Sequence, residues 1–274
     1  MTPASGALPP RDAAPVLLSH MDGIATLTLN RPAARNSLSE ALLVALADEL
    51  KALATSTSVR AVILAANGPV FSAGHDLKEL RARRSDADGG RAFFDHIMRT
   101  CAAVMLKIVH LPQPVIAAVS GTATAAGCQL VASCDLAIAS AAAQFATPGV
   151  NIGLFCSTPS VALSRNVSPK HAMEMLLTGE PISAADAARI GLINRAVPAG
   201  TEREEATALA RKIAAKSRHV VKIGKEAFYR QREMDLATAY DYAVRVMAEN
   251  MMARDADEGI SAFVEKRAAT WQDR

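Results

Sequence analysis

The amino-acid sequence predicts an α/β fold with an extension made only of helices. Residues 16–200 alternate between short apolar runs, turn residues and amphipathic patterns, whereas the pattern from about residue 201 onward is helical throughout. The chain is 50% hydrophobic but only 4% aromatic, so its apolar mass comes from Ala, Val, Leu and Ile, which suit buried strands and tightly packed helices. With 274 residues, it is long enough for one large core with a helical appendage.

Three segments are predicted along the chain. Residues 1–15 are rich in Pro, Ala and Gly and lack the apolar run of a signal peptide, so we expect a disordered tail. Residues 16–200 contain repeated strand–strand–helix units, which predict one core. Residues 201–274 form the helical extension.

The first elements follow from turn and cap signals. Residues 16–20 and 24–29 flank an Asp-Gly turn and predict a β-hairpin. Ser37, with Glu40 three residues later, has the pattern of a capping box, and the leucines that follow recur at helical spacing. Residues 60–66 form the next apolar run and predict a buried strand.

Two stretches of small residues connect a predicted strand to a helix. The strand at residues 60–66 leads into the segment from Phe71 to Leu77, and the strand at 115–119 leads into an apolar helix that ends near Ser133. The first N–H groups of a helix have no partner within it and carry the positive end of its dipole. Two such turns can therefore place one N–H each on a single oxygen that acquires negative charge.

Composition excludes several classes of function. The formal charge of +3 is spread along the chain without Lys/Arg runs between aromatic residues, so we expect no nucleic-acid partner. No apolar run has the length of a membrane span, and the isolated histidines predict no metal site. The four cysteines show no CxxC spacing and are typical of reduced, buried thiols. These features predict a cytoplasmic protein.

Four segments carry a resemblance to a known family. The segment from Val70 to Leu80, the segment from Ala118 to Asp135, and residues 178–184 and 259–267 resemble the crotonase (enoyl-CoA hydratase/isomerase) superfamily. The resemblance covers about residues 16–271. It is closest to the branch of enoyl-CoA hydratase domain-containing proteins, whose second motif reads Ala-Thr-Ala-Ala-Gly-Cys-Gln-Leu, as here from Ala123.

The resemblance implies a crotonase-like spiral of ββα units and a helical region, residues 201–274, that mediates trimerisation. It implies a homotrimer or a dimer of trimers, with an acyl-CoA thioester as substrate and no further cofactor. The two oxyanion-hole donors of the family fall on the backbone N–H groups of His75 and Ala126. Positions that contact coenzyme A in the family fall on Ala34, Arg35, Ala73, Asp76, Leu77, Lys78, Phe263 and Lys266, of which the last two can reach a neighbouring subunit's ligand.

The chain departs from the family at the catalytic carboxylates. The two glutamates that hold and deprotonate water fall on Gln129 and Gly149, and a third acidic position of some members falls on Ser157. General acid–base groups typically contribute about 10²–10⁴-fold each, so ordinary hydration is not expected. Decarboxylation needs an enolate-stabilising site but no strong base, and the string from Ser72 to Asp76 is similar to methylmalonyl-CoA decarboxylases, although their active-site tyrosine falls near Cys156. An enoyl-CoA hydratase/isomerase-type enzyme, a decarboxylase and a non-catalytic acyl-CoA binder remain alternatives.

Individual side chains also keep two interpretations each. His75 is a base that titrates near neutral pH or a structural side chain of which only the N–H acts. Asp76 is more typical of an acceptor at a helix start than of a catalytic base. Cys128 and Cys156 are pocket nucleophiles or small buried thiols. Gln129 positions a water or a polar substrate group, or fills space.

Overall fold

The computed structural model describes residues 14–274. Most of the predicted N-terminal tail, residues 1–13, lies outside the described residues. Its last two residues contact the sheet, because the Asn30 backbone N–H donates to the carbonyl of Pro15 (2.8 Å) and its side-chain amide to that of Ala14 (3.1 Å).

Ten strands and eleven α-helices are formed by the described residues. The strands are β1 (Val16–Met21), β2 (Ile24–Leu29), β3 (Ala61–Ala66), β4 (Val70–Ser72), β5 (Val115–Val119), β6 (Thr122–Thr124), β7 (Leu136–Ser140), β8 (Gln144–Ala146), β9 (Ile182–Ser183) and β10 (Arg195–Val197). The helices are α1 (Glu40–Ala54), α2 (Leu77–Ala82), α3 (Arg91–His110), α4 (Ala126–Ser133), α5 (Ser157–Leu163), α6 (Pro169–Thr178), α7 (Ala184–Arg189), α8 (Glu202–Ala214), α9 (Arg218–Gln231), α10 (Leu236–Met251) and α11 (Arg254–Val264). This order confirms the predicted α/β class.

A six-stranded sheet forms the centre of the molecule, in the order β1-β2-β3-β5-β7-β10. Only β1 is antiparallel to its neighbour, and the predicted hairpin turn is present, with positive φ at both Asp22 and Gly23 as a two-residue hairpin requires. Alternate residues point to opposite faces of a strand, so Leu27 and Leu64 face the main core while Ile63 faces the other side.

Helix α8 covers the second face of this sheet. Its Ala206 and Ala210 pack against isoleucines of four strands, among them Ile63 and Ile116. The predicted boundary at residue 200 assigns α8 to the helical extension, but its packing makes it a layer over the sheet. The boundary itself stays a prediction.

A second sheet has the order β4-β6-β8-β9 and was not predicted. The expectation that the strand at 115–119 runs through a turn directly into a helix is wrong, because the short strand β6 lies between them; β4 likewise follows β3. Strands of three small or mixed residues carry too little periodicity to be recognised in a sequence. Their burial is nevertheless complete at Phe71 and Ala123, which belong to the main core.

The cap of α1 also differs from the prediction. Ser39 caps this helix by accepting the Leu42 N–H, at 3.3 Å, whereas Ser37 Oγ lies 3.1 Å from a carboxylate oxygen of Asp76. Ser37 therefore joins α1 to the start of α2 instead of opening α1.

Helices α9 to α11 are attached to the core at few points. The Lys225 ammonium of α9 lies 2.7 Å from Asp135 and donates to the carbonyls of Ile108 and Gln113. At the C-terminus, Asp273 pairs with Arg60 at 2.7 Å, at the amino end of β3. Helices α9 and α10 contain no buried residue, and no helix of residues 14–274 has both the length and the hydropathy needed to cross a bilayer.

Candidate functional site

The second sheet places the two predicted turns side by side. Strand β4 ends at Ser72 and leads through Gly74 to His75, and β6 leads through Ala125 into α4. The two strands are parallel neighbours, with Ser72 opposite Ala123, so their carboxyl ends lie at the same edge of the sheet. Both turns therefore leave the sheet at one place.

The two turns touch through their backbones. A Cβ added to Gly74 would lie 2.9 Å from the Ala125 Cβ and 3.2 Å from the Ala126 nitrogen, and the φ of Gly74 is +82°. A Cβ added to Gly127 would lie 2.3 Å from the carbonyl oxygen of Ser72. Only glycine fits at these two positions. Because neither residue has a side chain, the start of α4 can pack directly against the first turn.

Two amides at this contact have no protein acceptor. Within the described part of the chain, neither the His75 N–H nor the Ala126 N–H donates to a protein atom, whereas the adjacent Asp76 and Ala125 amides donate to the carbonyls of Leu38 and Ala146. No side chain from residues 14–274 caps α4, and Ala125, which precedes the helix, has φ of +51°. The two unpaired donors therefore belong to turns that are in contact with each other.

The imidazole of His75 is mostly buried beside its amide. Its Nε2 atom is enclosed and has no hydrogen-bond partner in the described residues. Burial lowers the pKa of this histidine below 6.5, so the ring is neutral at pH 7. A neutral, unpaired ring nitrogen can exchange a hydrogen bond with a ligand but carries no charge to the site.

Asp76 closes the start of α2. One of its carboxylate oxygens accepts the Lys78 and Glu79 N–H groups, at 3.2 and 3.4 Å, and the other bonds Arg31 and Ser37, both at 3.1 Å. Burial alone would raise the pKa of this carboxyl group, but the bonds from Arg31, the backbone and Ser37 hold the pKa below its ordinary value. The carboxylate is fully engaged as a helix cap.

Most of the predicted coenzyme A positions surround the first turn. Ala34 and Arg35 belong to a tight turn whose Arg35 carbonyl accepts the Ala73 N–H at 3.0 Å. Arg35, Leu77 and Lys78 border this turn at the protein surface. Phe263 and Lys266 are exposed at the end of α11, and among the described residues neither forms a hydrogen bond or ion pair with the two turns.

Gln129 lies one helical turn beyond Ala126. Its side chain is 5% exposed, and its Oε1 atom has no partner in the described residues. It forms part of the wall of a cavity of about 1000 Å³ between α3, α4, α5 and α9. The sequence carried no signal for this cavity, because its walls come from four helices far apart in the chain.

The space beside Gly149 is already occupied. A Cβ added there would lie 2.7 Å from the Leu154 carbonyl oxygen and 2.9 Å from Cys156 Sγ. Burial raises the pKa of the Cys156 thiol, and it raises that of the neighbouring Cys128 to about 12. Both thiols are therefore protonated at neutral pH, and neither is an activated nucleophile.

Among residues 14–274, no group of three or more His, Cys, Asp or Glu side chains could hold a metal ion. The chemistry of this region therefore depends on backbone donors, the amide of Gln129 and one neutral imidazole.

Comparison with known proteins identifies the family. The sequence profile described as enoyl-CoA hydratase/isomerase matches residues 19–274. The chain belongs to the enoyl-CoA hydratase/isomerase family. Its two sheets and surrounding helices are those of the crotonase fold, as the solved structures of this family show.

Two curated relatives belong to the enoyl-CoA hydratase domain-containing branch. The rat protein named enoyl-CoA hydratase domain-containing protein 3, mitochondrial, is 51% identical over 91% of this chain and 82% of its own length. The human protein of the same name is 49% identical over 94% of this chain and 83% of its own length. These matches confirm the predicted branch.

Solved structures of the family superpose closely. An enoyl-CoA hydratase from Mycobacterium smegmatis has 53% identity and a TM-score of 0.90, covering 94% of this chain and 98% of its own. Human enoyl coenzyme A hydratase domain-containing protein 3 has 50% identity and a TM-score of 0.89, covering 94% of this chain and all of its own.

Proposed function

We propose that this protein binds an acyl-CoA thioester. The carbonyl oxygen of the bound thioester accepts hydrogen bonds from the His75 and Ala126 N–H groups. One observation carries this proposal: two amides without an acceptor in the described residues lie on turns that touch each other. Such donors stabilise the charge that develops when a thioester becomes an enolate, and each is worth about 3–4 kcal/mol in a preorganised site.

The surroundings of the first turn suit the nucleotide end of coenzyme A. Arg35 and Lys78 lie at the surface beside Ala73, and their charges match phosphate groups. Asp76 holds α2 in place and Ala34 and Leu77 shape the same surface, so we assign these residues to coenzyme A binding.

The proposed reaction does not use a pair of carboxylates to activate water. An amide at Gln129 cannot accept and return a proton at neutral pH, and Gly149 has no side chain. We therefore propose an enoyl-CoA hydratase/isomerase-type lyase whose reaction depends on the amide pair. Decarboxylation of a malonyl-type thioester fits, because breaking the C–C bond leaves its electron pair on the thioester enolate and releases CO₂ without a base. A proton from water then converts the enolate to the acyl thioester.

A non-catalytic acyl-CoA binder is the second candidate. It is favoured by the space beside Gly149, where the Leu154 carbonyl and the Cys156 thiol occupy the volume into which a catalytic side chain would extend. This candidate predicts coenzyme A ester affinity without turnover, and no effect of Gln129→Ala.

Infrared difference spectroscopy with a thioester labelled at its carbonyl carbon tests the amide pair directly. We expect the carbonyl stretch of bound butyryl-CoA to move to lower frequency in the wild type. Ala126→Pro removes one donor at the first position of α4, where no hydrogen bond within the helix is lost, and we expect the shift to shrink. An unshifted carbonyl in the wild type would contradict the proposal.

A panel of thioesters followed by mass separates the two candidates. Crotonyl-CoA, longer enoyl-CoAs and methylmalonyl-CoA report gain of water, isomerisation or loss of CO₂. If any is converted, we expect Ala126→Pro to reduce kcat by about 10²–10³-fold. Binding of all of them with no product supports the non-catalytic candidate.

We also propose a homotrimer or a dimer of trimers. Helix α10 exposes an apolar stripe that a single chain leaves uncovered, and a neighbouring chain would bring Phe263 and Lys266 to a ligand. The cytoplasmic location predicted from the sequence stays a prediction, since the rat and human relatives are named as mitochondrial proteins.

A further inference from the structure

The cavity beside Gln129 has walls of two kinds. Apolar side chains of α3, α4 and α5, including Ala102, Leu106 and Val161, form one side. Helix α9 forms the other side and carries charged side chains. At about 1000 Å³, the cavity is as large as the upper end of the range of ligand sites, about 300–1,000 Å³, so it holds far more than a short acyl group.

Gln129 links the cavity to the second turn, because it lines the cavity and its backbone N–H donates to the Ala125 carbonyl at 3.0 Å. Gln129 is three residues beyond Ala126, and helical side chains lean toward the N-terminus of their helix, so its amide lies over the turn that carries the Ala126 N–H. The Gln129 Oε1 atom is buried without a partner among the described residues, although buried polar groups are almost always hydrogen-bonded. An unpaired buried amide on a cavity wall points to a ligand in that cavity.

The charges of the cavity walls are predominantly positive. The walls include five cationic side chains, Arg165, Lys222, Lys225, Arg230 and Arg232, and two anionic ones, Glu226 and Glu233. Asp135 neutralises Lys225, and Glu233 lies 3.3 Å from Arg165. Among the described residues, neither Lys222 nor Arg230 forms an ion pair with a carboxylate, although the Arg230 guanidinium lies 5.2 Å from the centre of the Tyr242 ring. Cations therefore remain in excess opposite the apolar wall.

From this arrangement we infer that the cavity receives the acyl chain of the thioester and selects chains that end in a carboxylate. This inference rests on the proposed function, because the thioester must lie at the His75 and Ala126 amides for its chain to enter beside Gln129. The apolar wall accommodates the methylenes, and Lys222 receives the terminal carboxylate.

Isothermal titration calorimetry of the full chain with saturated thioesters tests the inference without turnover. Hexanoyl-, octanoyl- and decanoyl-CoA are compared with adipyl-, suberyl- and sebacyl-CoA, which end in a carboxylate. We expect the carboxylate ligand to bind about three- to fivefold more tightly at the length that reaches α9, as for a partly exposed ion pair. Lys222→Gln should remove this preference, whereas Lys212→Gln, an exposed cation on α8, should leave it unchanged.

A second variant tests the cavity itself. Ala102→Trp fills the cavity from α3 and should weaken decanoyl-CoA binding by about tenfold while acetyl-CoA binding stays the same. Ala103→Trp, at the neighbouring exposed position outside the cavity walls, is the matched control. Light scattering of each variant records its oligomeric state.

Three other outcomes would overturn the inference, and each would contradict a different part of it. Equal affinities for methyl and carboxylate ends at every length, or a preference that survives Lys222→Gln, would remove the selectivity. Unchanged decanoyl-CoA binding by Ala102→Trp, or a change of oligomeric state instead of affinity, would show that the cavity is not the acyl site. If even acetyl-CoA fails to bind the wild type, the proposed function fails and not only its acyl specificity.

Discussion

The backbone of residue 149 lies in a tight turn close to two atoms of the loop that follows. The Leu154 carbonyl and the Cys156 thiol occupy the volume into which a side chain would extend. No free space is therefore left for a side chain at this position. Packing in protein interiors is dense enough that such a volume cannot be recovered without moving the loop.

We expect the double variant Gln129→Glu with Gly149→Glu not to acquire hydration of crotonyl-CoA. The new side chain at 149 meets a backbone oxygen at 2.7 Å, and overpacking of this kind costs about 1–3 kcal/mol. Absorbance of the enoyl thioester and the free energy of unfolding in urea measure both effects. Gly224→Glu, where an added Cβ meets none of the described atoms within 4 Å, is the control for stability. Efficient hydration at unchanged stability would contradict the expectation.

The buried imidazole of His75 should make stability depend on pH. Because burial lowers its pKa in the folded protein, the unfolded chain binds this proton first as the pH falls below about 6.5. The free energy of unfolding then decreases with falling pH, by up to about 1 kcal/mol per pH unit for this group. His75→Gln should flatten the slope that urea unfolding gives across the pH range below the ordinary histidine pKa of about 6.5.

An exposed histidine provides the comparison for that slope. His110→Gln should leave the pH dependence of the wild type in place. A wild-type slope equal to that of His75→Gln would show that the ring is hydrated in solution and not desolvated as its burial indicates.

At the scale of elements, the position of α4 depends on the absence of a side chain at Gly127. An added Cβ would lie 2.3 Å from the Ser72 carbonyl, so Gly127→Ala must push α4 away from the end of β4. We expect a loss of about 1–3 kcal/mol in the free energy of unfolding, together with weaker polarisation of a bound thioester carbonyl.

Gly224→Ala is the control for Gly127→Ala, because Gly224 also lies in a helix but has no close neighbour. Among the described residues nothing lies within 4 Å of its added Cβ, so alanine should stabilise α9 by about 0.5–1 kcal/mol. If both glycine variants behave alike in urea unfolding, close approach does not explain Gly127.

Long periodic elements were predictable and short ones were not. The hairpin with its Asp22-Gly23 turn, the buried strand β5 and the helix that ends at Ser133 follow from local patterns. Strands β4 and β6 were missed because three residues cannot display alternation. Yet these two strands bring the turns together, so local patterns could indicate two turns with free N–H groups but not the contact between Gly74 and Ala126.

The cavity beside Gln129 shows a second limit of sequence reasoning. Its walls combine helices from residue 91 to residue 231, and no local pattern indicates that α9 folds back over α3 and α5. The same holds for Gly149, whose missing side chain was visible in the sequence while the atoms that fill its space were not. Packing between distant segments decided both features.

For the whole molecule, an ion pair whose side chains are only 7% and 14% exposed ties α9 to the core. Asp135 accepts from Lys225 at 2.7 Å and from the Val115 N–H at 2.6 Å. Lys225→Met leaves this carboxylate without its cation, and breaking a buried pair from one side costs about 3–5 kcal/mol. Adding Asp135→Asn should recover part of the loss in urea unfolding. Lys222→Met, exposed on the same helix, should change stability little, and an equal loss there would contradict the role of the pair.

The apolar stripe of α10 links the assembly to the proposed site. Leu236, Tyr240, Val244, Met247 and Met251 recur at helical spacing and are 50–76% exposed, an arrangement typical of a covered interface. Val244→Asp places a charge within this stripe and should shift the protein toward monomers in light scattering. Arg245→Gln changes the net charge by the same amount at an exposed position outside the stripe and should leave the assembly intact.

Dissociation of the assembly into monomers should also weaken coenzyme A binding if a neighbouring chain supplies Phe263 and Lys266. These side chains are exposed at the end of α11 and, among the described residues, form no hydrogen bond or ion pair with the two turns. Calorimetry with acetyl-CoA should therefore show reduced affinity for Val244→Asp and wild-type affinity for Arg245→Gln. A monomeric variant with undiminished affinity would mean that each chain completes its own thioester site, and that assembly serves only to bury the stripe.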